Sequence, residues 1–401
     1  MISLSRRSLF CAAAGTLVAA LPAVPAAADP ACPRRYVPLP PPTGPHGIGV
    51  IALHLVDPSR CDPWVPSIPV RELMVSVWYP AVPNRRARAP YMQPAAGAHY
   101  DQGLALQLPR YRTGVVDFAA TPTHAGVGAP VLPRRGGHPV VLYSPGGGNA
   151  RTTGTVLVEQ LASHGYIVVT VDHTYDSAEV EFPDGRLAVD RRPADTTREA
   201  SALVRVDDTR FVLDTLARIH GGRYAHGLRG ALDLDWIGMV GCSAGGYATA
   251  ETMLVDRRVR AGCNLDGKLL ADDDPVVLGR VARYGLDRPF LQIGTPGHDS
   301  TTDPSWAAMQ ANARGWHREL RLDGSTHLGL SDLQVTIPFL AGVFGLTAAE
   351  VRYALGPIDA GRSVATVRAY VTAFLDRHLR GAGGTLLDQP SPRYPDMVIV
   401  A

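Results

Sequence analysis

Gly241-Cys242-Ser243-Ala244-Gly245 carries the spacing G-x-S-x-G. A serine hydroxyl can attack a carbonyl carbon once a neighbouring base takes its proton. The spacing recurs by chance, so its surroundings decide. An apolar run, Trp236–Val240, precedes it, and an alanine-rich helical stretch, Ala244–Val255, follows at once. This is the strand–turn–helix setting in which a strained turn lifts a serine clear of a sheet. The plainer reading is a glycine-rich turn whose serine only caps a helix.

Acyl transfer also needs backbone donors for the negative oxygen of the tetrahedral intermediate. One is expected at Ala244, directly after the serine, and the other on a loop after an earlier strand. That loop reads Ser144-Pro145-Gly146-Gly147-Gly148-Asn149-Ala150-Arg151, and Gly147 is the expected donor. Three glycines would also suit a phosphate cradle, but the Walker lysine and the G-x-G-x-x-G spacing are missing. A flexible turn is the plainer alternative.

In this chemistry the acid and then the base follow the serine along the chain. Only His298, His317, His327 and His378 come after Ser243. His317 sits before a strand and His378 on the last helix. His327, in Gly324-Ser325-Thr326-His327-Leu328-Gly329, directly follows the last short strand and is the expected base. Asp266 and Asp299 each follow a strand, and either can deliver the carboxylate that orients the imidazole. Asp303 and Asp332 are poorer candidates. Asp272-Asp273-Asp274 reads as a solvated loop, since a calcium site needs more ordered oxygen ligands. No Cys/His spacing suits zinc. Neither a metal nor an organic cofactor is expected.

These residues need a frame. Residues 29–47 are proline-rich and read as an extended arm. Ile48–Leu55 and Glu72–Tyr79 read as strands, and residues 80–135 as a long surface excursion. An alternation then sets in. Strands are expected at Pro139–Tyr143, Tyr166–Val171, Trp236–Val240, Val259–Asn264, Pro289–Ile293 and Glu319–Leu322. Helices are expected at Thr155–Ser163, Ala200–Ile219, Ala244–Val255 and Val364–Leu379. Residues 174–200 read as a polar excursion over the active face. Strands alternating with helices imply an α/β fold, with a mostly parallel sheet and helices on both faces. Ligands of such sheets bind at the carboxyl ends of the strands. Residues 29–401 are read as one domain.

The 401-residue chain carries a formal net charge of +2 and no basic stripe. That gives no reason to expect a nucleic-acid partner. Residues 1–28 read as an export signal. Arg6-Arg7 stand before an apolar run, Leu9 to Val24, and Ala26-Ala27-Ala28 offers a cleavage site. The paired arginines point to the twin-arginine (Tat) route, with a Sec signal as the alternative. Cys11 leaves with this segment. Cys32, Cys61, Cys242 and Cys263 remain, an even count that permits Cys32–Cys61 and Cys242–Cys263 disulfides in an exported protein. Buried free thiols are the alternative for the second pair.

Several motifs occur in a telling order. They are Val141-Leu142-Tyr143-Ser144-Pro145-Gly146-Gly147-Gly148, Leu161-Ala162-Ser163-His164-Gly165-Tyr166-Ile167-Val168, Val171-Asp172-His173, Ile237 to Gly246, Asn264-Leu265-Asp266 and Gly324-Ser325-Thr326-His327. From about Pro42 to about Leu379 the chain resembles the secreted platelet-activating-factor acetylhydrolases and their bacterial lipase-like relatives. The resemblance implies an α/β-hydrolase fold and a triad of Ser243, Asp266 and His327. It favours Asp266 over Asp299, and it implies Gly147 and Ala244 as oxyanion donors. The chain departs from the family in having Pro145-Gly146 where His-Gly is frequent. It also has Cys242 and Ala244 around the serine, and Gly267-Lys268-Leu269 after the acid. In the related bacterial cutinases and polyester hydrolases the acid follows the later strand, which would select Asp299.

The expectation is therefore a secreted serine ester hydrolase acting on small-molecule or lipid esters. Peptidase, amidase or thioesterase activity on the same fold is an alternative. A non-catalytic binding protein is another. The 174–200 excursion and the run Ile337–Phe344 could together form an apolar rim that touches lipid surfaces transiently; the alternative is that Ile337–Phe344 lies in the core.

Overall fold

The computed structural model describes residues 34–400 other than Pro109. The export signal, Cys11 and Cys32 lie outside the described residues. Among the described residues there are thirteen strands: β1 (Gly47–Asp57), β2 (Arg71–Ala81), β3 (Arg88–Pro90), β4 (Pro122–Val127), β5 (His138–Ser144), β6 (Ile167–Asp172), β7 (Val180–Glu181), β8 (Leu187–Ala188), β9 (Leu232–Cys242), β10 (Val259–Leu265), β11 (Phe290–Gly294), β12 (His317–Leu322) and β13 (Met397–Ile399). The helices are α1 (Pro94–Gln107), α2 (Thr155–Ser163), α3 (Arg198–His220), α4 (Ala244–Val255), α5 (Arg280–Tyr284), α6 (Pro304–Asn312), α7 (Leu333–Phe344), α8 (Ala348–Leu355) and α9 (Ala360–Arg380).

Eleven strands form one sheet in the order β13-β12-β11-β10-β9-β5-β6-β2-β1-β4-β3. The six from β12 to β6 run parallel to their neighbours. Antiparallel pairs join β2 to β6, β1 to β2 and β12 to β13. Alternation along β5 shows why its sequence is an unbroken apolar run. Val140 and Leu142 join a core with Leu213 and Leu216 of α3 and Tyr247 and Met253 of α4. Val141 and Tyr143 face the opposite core, with Leu161 of α2 and Phe374 and Leu375 of α9. The sheet is thus covered on both faces, as the alternating pattern predicts.

Three expectations need correction, and one element is new. The stretch 80–135 is more than a surface excursion. It holds β3, α1 and β4, with β4 pairing parallel to β1. Its Tyr91, Met92, Leu104, Tyr111 and Phe118 build a third core with Leu340 and Phe344. Prolines obscured it, because Pro90 stands on the edge strand β3 and Pro122 is the first residue of β4, places where a missing N–H is tolerated. The stretch 174–200 is also partly interior. It holds the β7–β8 hairpin, and Asp176 and Ser177 are fully buried. Cys242 and Cys263 are free, buried thiols rather than a disulfide, and Cys61 has no disulfide partner among the described residues, outside which Cys32 lies. In the β9–β10 register Cys263 faces Val240 while Cys242 faces Leu265. The two cysteines are therefore diagonal, about 8 Å apart by strand spacing and rise, beyond disulfide reach. Finally, β13 closes the far edge of the sheet on β12, an element the sequence reading lacks. Ile337, Leu340 and Phe344, on α7, are buried.

Candidate active site

The site lies where β5, β9, β10 and β12 end. Ser243 has φ 53° and ψ −119°, at the N-cap of α4. A non-glycine residue there is strained, and strain of this kind clusters at functional sites. Glycines make the turn possible. A Cβ on Gly241 would overlap Gly245 O, and one on Gly245 would overlap Ser144 O. Asp266, one residue beyond β10, also has a positive φ, 57°. Asn264 clamps that turn by accepting from Gly267 N–H and donating to Gly267 O, each at 2.8 Å.

Three side chains form one line. Ser243 Oγ lies 3.0 Å from His327 Nε2, and His327 Nδ1 lies 2.5 Å from Asp266 Oδ2. A carboxylate only accepts, so Nδ1 carries the proton and Nε2 is free to accept from the serine hydroxyl. Asp266 is buried, whereas His327 is about half exposed at 48%. Burial raises the Asp266 carboxyl, but its hydrogen bonds and charge contacts with His298 and His327 outweigh this and lower it to about 2. Asp299 is not brought to His327. It pairs with Arg321 at 2.9 Å and accepts from Thr301. Asp303 caps α6, Asp332 is buried against Tyr91 and Val156, and Asp273 pairs with Arg198.

Gly147 stands beside the elbow, since a Cβ on it would lie 3.6 Å from Ala244 Cβ. The Ala244 N–H opens α4 and has no partner within the helix. Cys242, buried beneath the serine, is pushed up to about 12 by burial and the nearby Asp266 and Asp332 charges, so it is a neutral thiol.

The sequence reading missed what holds the Ser144–Arg151 loop, where an oxyanion donor is expected. Arg205 of α3 is fully buried. It donates to Pro145 O at 2.5 Å and Gly146 O at 3.2 Å, and it pairs with Asp176 at 2.7 Å. Asp176 is held well below the usual carboxylate range despite burial, because Arg205 and Arg192 face it. Beside this clamp runs a second Ser–His–Asp series. Ser144 Oγ is 3.0 Å from His173 Nε2, and His173 Nδ1 is 3.0 Å from Asp208, which Arg71 grips. All of these side chains are buried, so no substrate reaches Ser144, and the series serves as packing beneath the loop. Apolar residues amid charges mark α3 as a helix, but nothing in them says that one of its arginines grips a loop some 60 residues earlier.

Arg205→Met should leave Asp176 short of its main partner. Breaking a buried pair from one side costs about 3–5 kcal/mol. Urea denaturation should show the midpoint falling accordingly. An unchanged midpoint would mean that the clamp is dispensable.

The described residues have close relatives. Residues 34–183 match the model of the family described as platelet-activating factor acetylhydrolase, isoform II. A probable 1-alkyl-2-acetylglycerophosphocholine esterase of Arthroderma benhamiae is 30% identical over 96% of this chain and 99% of its own length. The platelet-activating factor acetylhydrolase of Canis lupus familiaris is 24% identical over 60% of this chain and 57% of its own. Among solved structures, a ferulic acid esterase from Streptomyces cinnamoneus superposes with a TM-score of 0.74 at 35% identity, covering 90% of this chain and 99% of that one. By sequence and by fold, then, this chain belongs to the platelet-activating-factor acetylhydrolase-like family of α/β-hydrolases and is an ester-bond hydrolase.

Proposed function

We propose that the chain cleaves small-molecule or lipid carboxylic esters with Ser243 as nucleophile, His327 as general base and acid, and Asp266 as its orienting carboxylate. The unbroken Asp266–His327–Ser243 line carries this reading. Ser243 Oγ attacks the ester carbonyl while its proton passes to His327 Nε2. The N–H groups of Gly147 and Ala244 face the developing oxyanion, where charge stabilisation lowers the barrier most. The tetrahedral intermediate collapses, the C–O bond breaks, and the alkoxide leaves with the proton from His327. Water then gives its proton to His327 and its oxygen to the acyl carbon, freeing acid and serine.

The half-exposed His327 supports a site that bulky esters can reach from solvent. The likeness to a ferulic acid esterase over nine-tenths of the chain favours aromatic acyl esters as one substrate class, beside acetyl esters of lipids. Parallel assays with methyl ferulate and with an sn-2-acetyl phospholipid separate the two. Residues 1–28, with their paired arginines and small-residue end, support export.

The reading is tested by treating the folded protein with a fluorophosphonate and mapping the adduct by mass spectrometry. Label on Ser243 is the expected result. Active protein labelled elsewhere, or not at all, would overturn it.

A further inference from the structure

The Asp266 carboxylate does not end with His327. Its other oxygen, Oδ1, lies 3.0 Å from His298 Nδ1 and accepts from Thr295 Oγ1 at 3.2 Å. The far side of the same ring, Nε2, is 3.1 Å from Asp303 Oδ2, at ion-pair distance although not in line with an acceptor. Asp303 is ionised by its setting, since its Oδ1 takes Ser305 N–H, Ser305 Oγ–H and Trp306 N–H. A neutral imidazole presents a lone pair on one nitrogen. Here that lone pair would face an oxygen that can only accept. Both nitrogens facing carboxylates therefore require both protons.

The ring is built into place. Gly297 has φ +86°, closing a tight turn in which His298 N–H donates to Thr295 O. Trp306 of α6 packs on the ring at 4.6 Å between centroids, and its indole N–H donates to Gly267 O. The groups facing the imidazole are Asp266 after β10, Asp303 and Trp306 on α6, and Glu319 on β12. Its own loop adds Asp299, which Arg321 neutralises.

We propose that His298, as an imidazolium held between Asp266 and Asp303, is a positioning residue of this site. It fixes the rotation of the Asp266 carboxylate so that Oδ2 meets His327, and it cancels the charge of Asp303. His327 then faces one net anion instead of two. The direction found for the ring agrees. Burial alone would lower it, but the two carboxylates lift it to about 9.

The consequence is a pH range. With the cation present, its charge opposes the arrival of a second proton beside Asp266. Without it, the uncompensated anions favour protonated His327, which cannot accept the serine proton. The acidic limb of kcat/KM moves up. A unit charge acting across the shared Asp266 carboxylate is worth about one pH unit, or about a tenfold loss below the limb.

The inference rests on the triad reading, and the experiment separates the two. The pH dependence of kcat/KM for p-nitrophenyl acetate is measured for the wild type, His298→Gln and Asp303→Asn, and each preparation is labelled with fluorophosphonate. The acidic limb should rise by about one pH unit in His298→Gln and fall in Asp303→Asn. Opposite shifts cannot come from loosened structure alone. A limb that stays put in His298→Gln while Ser243 still labels overturns the role of His298. A wild type whose Ser243 does not label overturns the triad reading instead. Should the variants not fold, histidine-selective NMR of the wild type decides. His298 is expected to remain protonated at pH 8, and a neutral ring there overturns the proposal.

Discussion

Ser243→Ala is expected to lower kcat for ester hydrolysis by about 10⁵–10⁶-fold while leaving the fold intact. In the proposed mechanism the residue removed is the group that forms the acyl bond, so no covalent intermediate should accumulate. What remains is binding and oxyanion stabilisation, which alone give roughly 10³–10⁴-fold over water. The substitution also relieves no packing, because the strained turn is set by Gly241 and Gly245 rather than by the hydroxyl. Thermal unfolding should therefore stay close to that of the wild type. Loss of activity together with a large drop in Tm would be a folding defect. A stable variant with kcat within about tenfold of the wild type would show that another group attacks.

The second large effect separates two carboxylates. Asp266→Asn should reduce kcat by about 10⁴-fold, because the amide can present its NH₂ to His327 and favour the wrong tautomer. Asp299→Asn should keep kcat within a few-fold, since Asp299 holds Arg321 and its own loop instead. Steady-state kinetics on the two purified variants decide the matter. The reverse pattern would move the orienting acid to the end of β11.

Stability should carry its own signature. The folded His298 titrates at about 9, above its ordinary 6.5. Its contribution is complete below pH 6.5 and is lost as pH rises through about 9. Tm should fall across that window in the wild type, and the fall should be smaller in His298→Gln. Equal slopes in the two proteins would count against the buried ion pairs.

Much of this was legible in the chain. Glycines two residues either side of Ser243, after an apolar run and before an alanine-rich one, dictate an elbow because only glycine fits there. The buried strands were readable as apolar runs, and α2 and α4 begin and end where expected. His327 could be found by position alone, one short loop after β12. The acid could not, since Asp266 and Asp299 have equivalent strand-end settings. Only the resemblance separated them in the sequence, and in the structure Asp266 reaches the imidazole at 2.5 Å. Arg205, Asp176 and His298 were illegible for a common reason. Their partners lie on other elements, and a buried ion pair leaves no periodic mark. The third core under residues 80–135 was hidden by prolines that signal loops locally but sit harmlessly on an edge strand or at a strand's first residue.

The site's parts are scattered along the chain. Ser243 and His327 are 84 residues apart, and Asp266 and His327 are 61 apart. They meet only after β9, β10, β11 and β12 have paired in parallel, each pairing closing a long loop. Such non-local pairing is slow compared with helix formation. During refolding from urea, helical signal should therefore return well before esterase activity. The recovered activity becomes a clock for completion of the sheet.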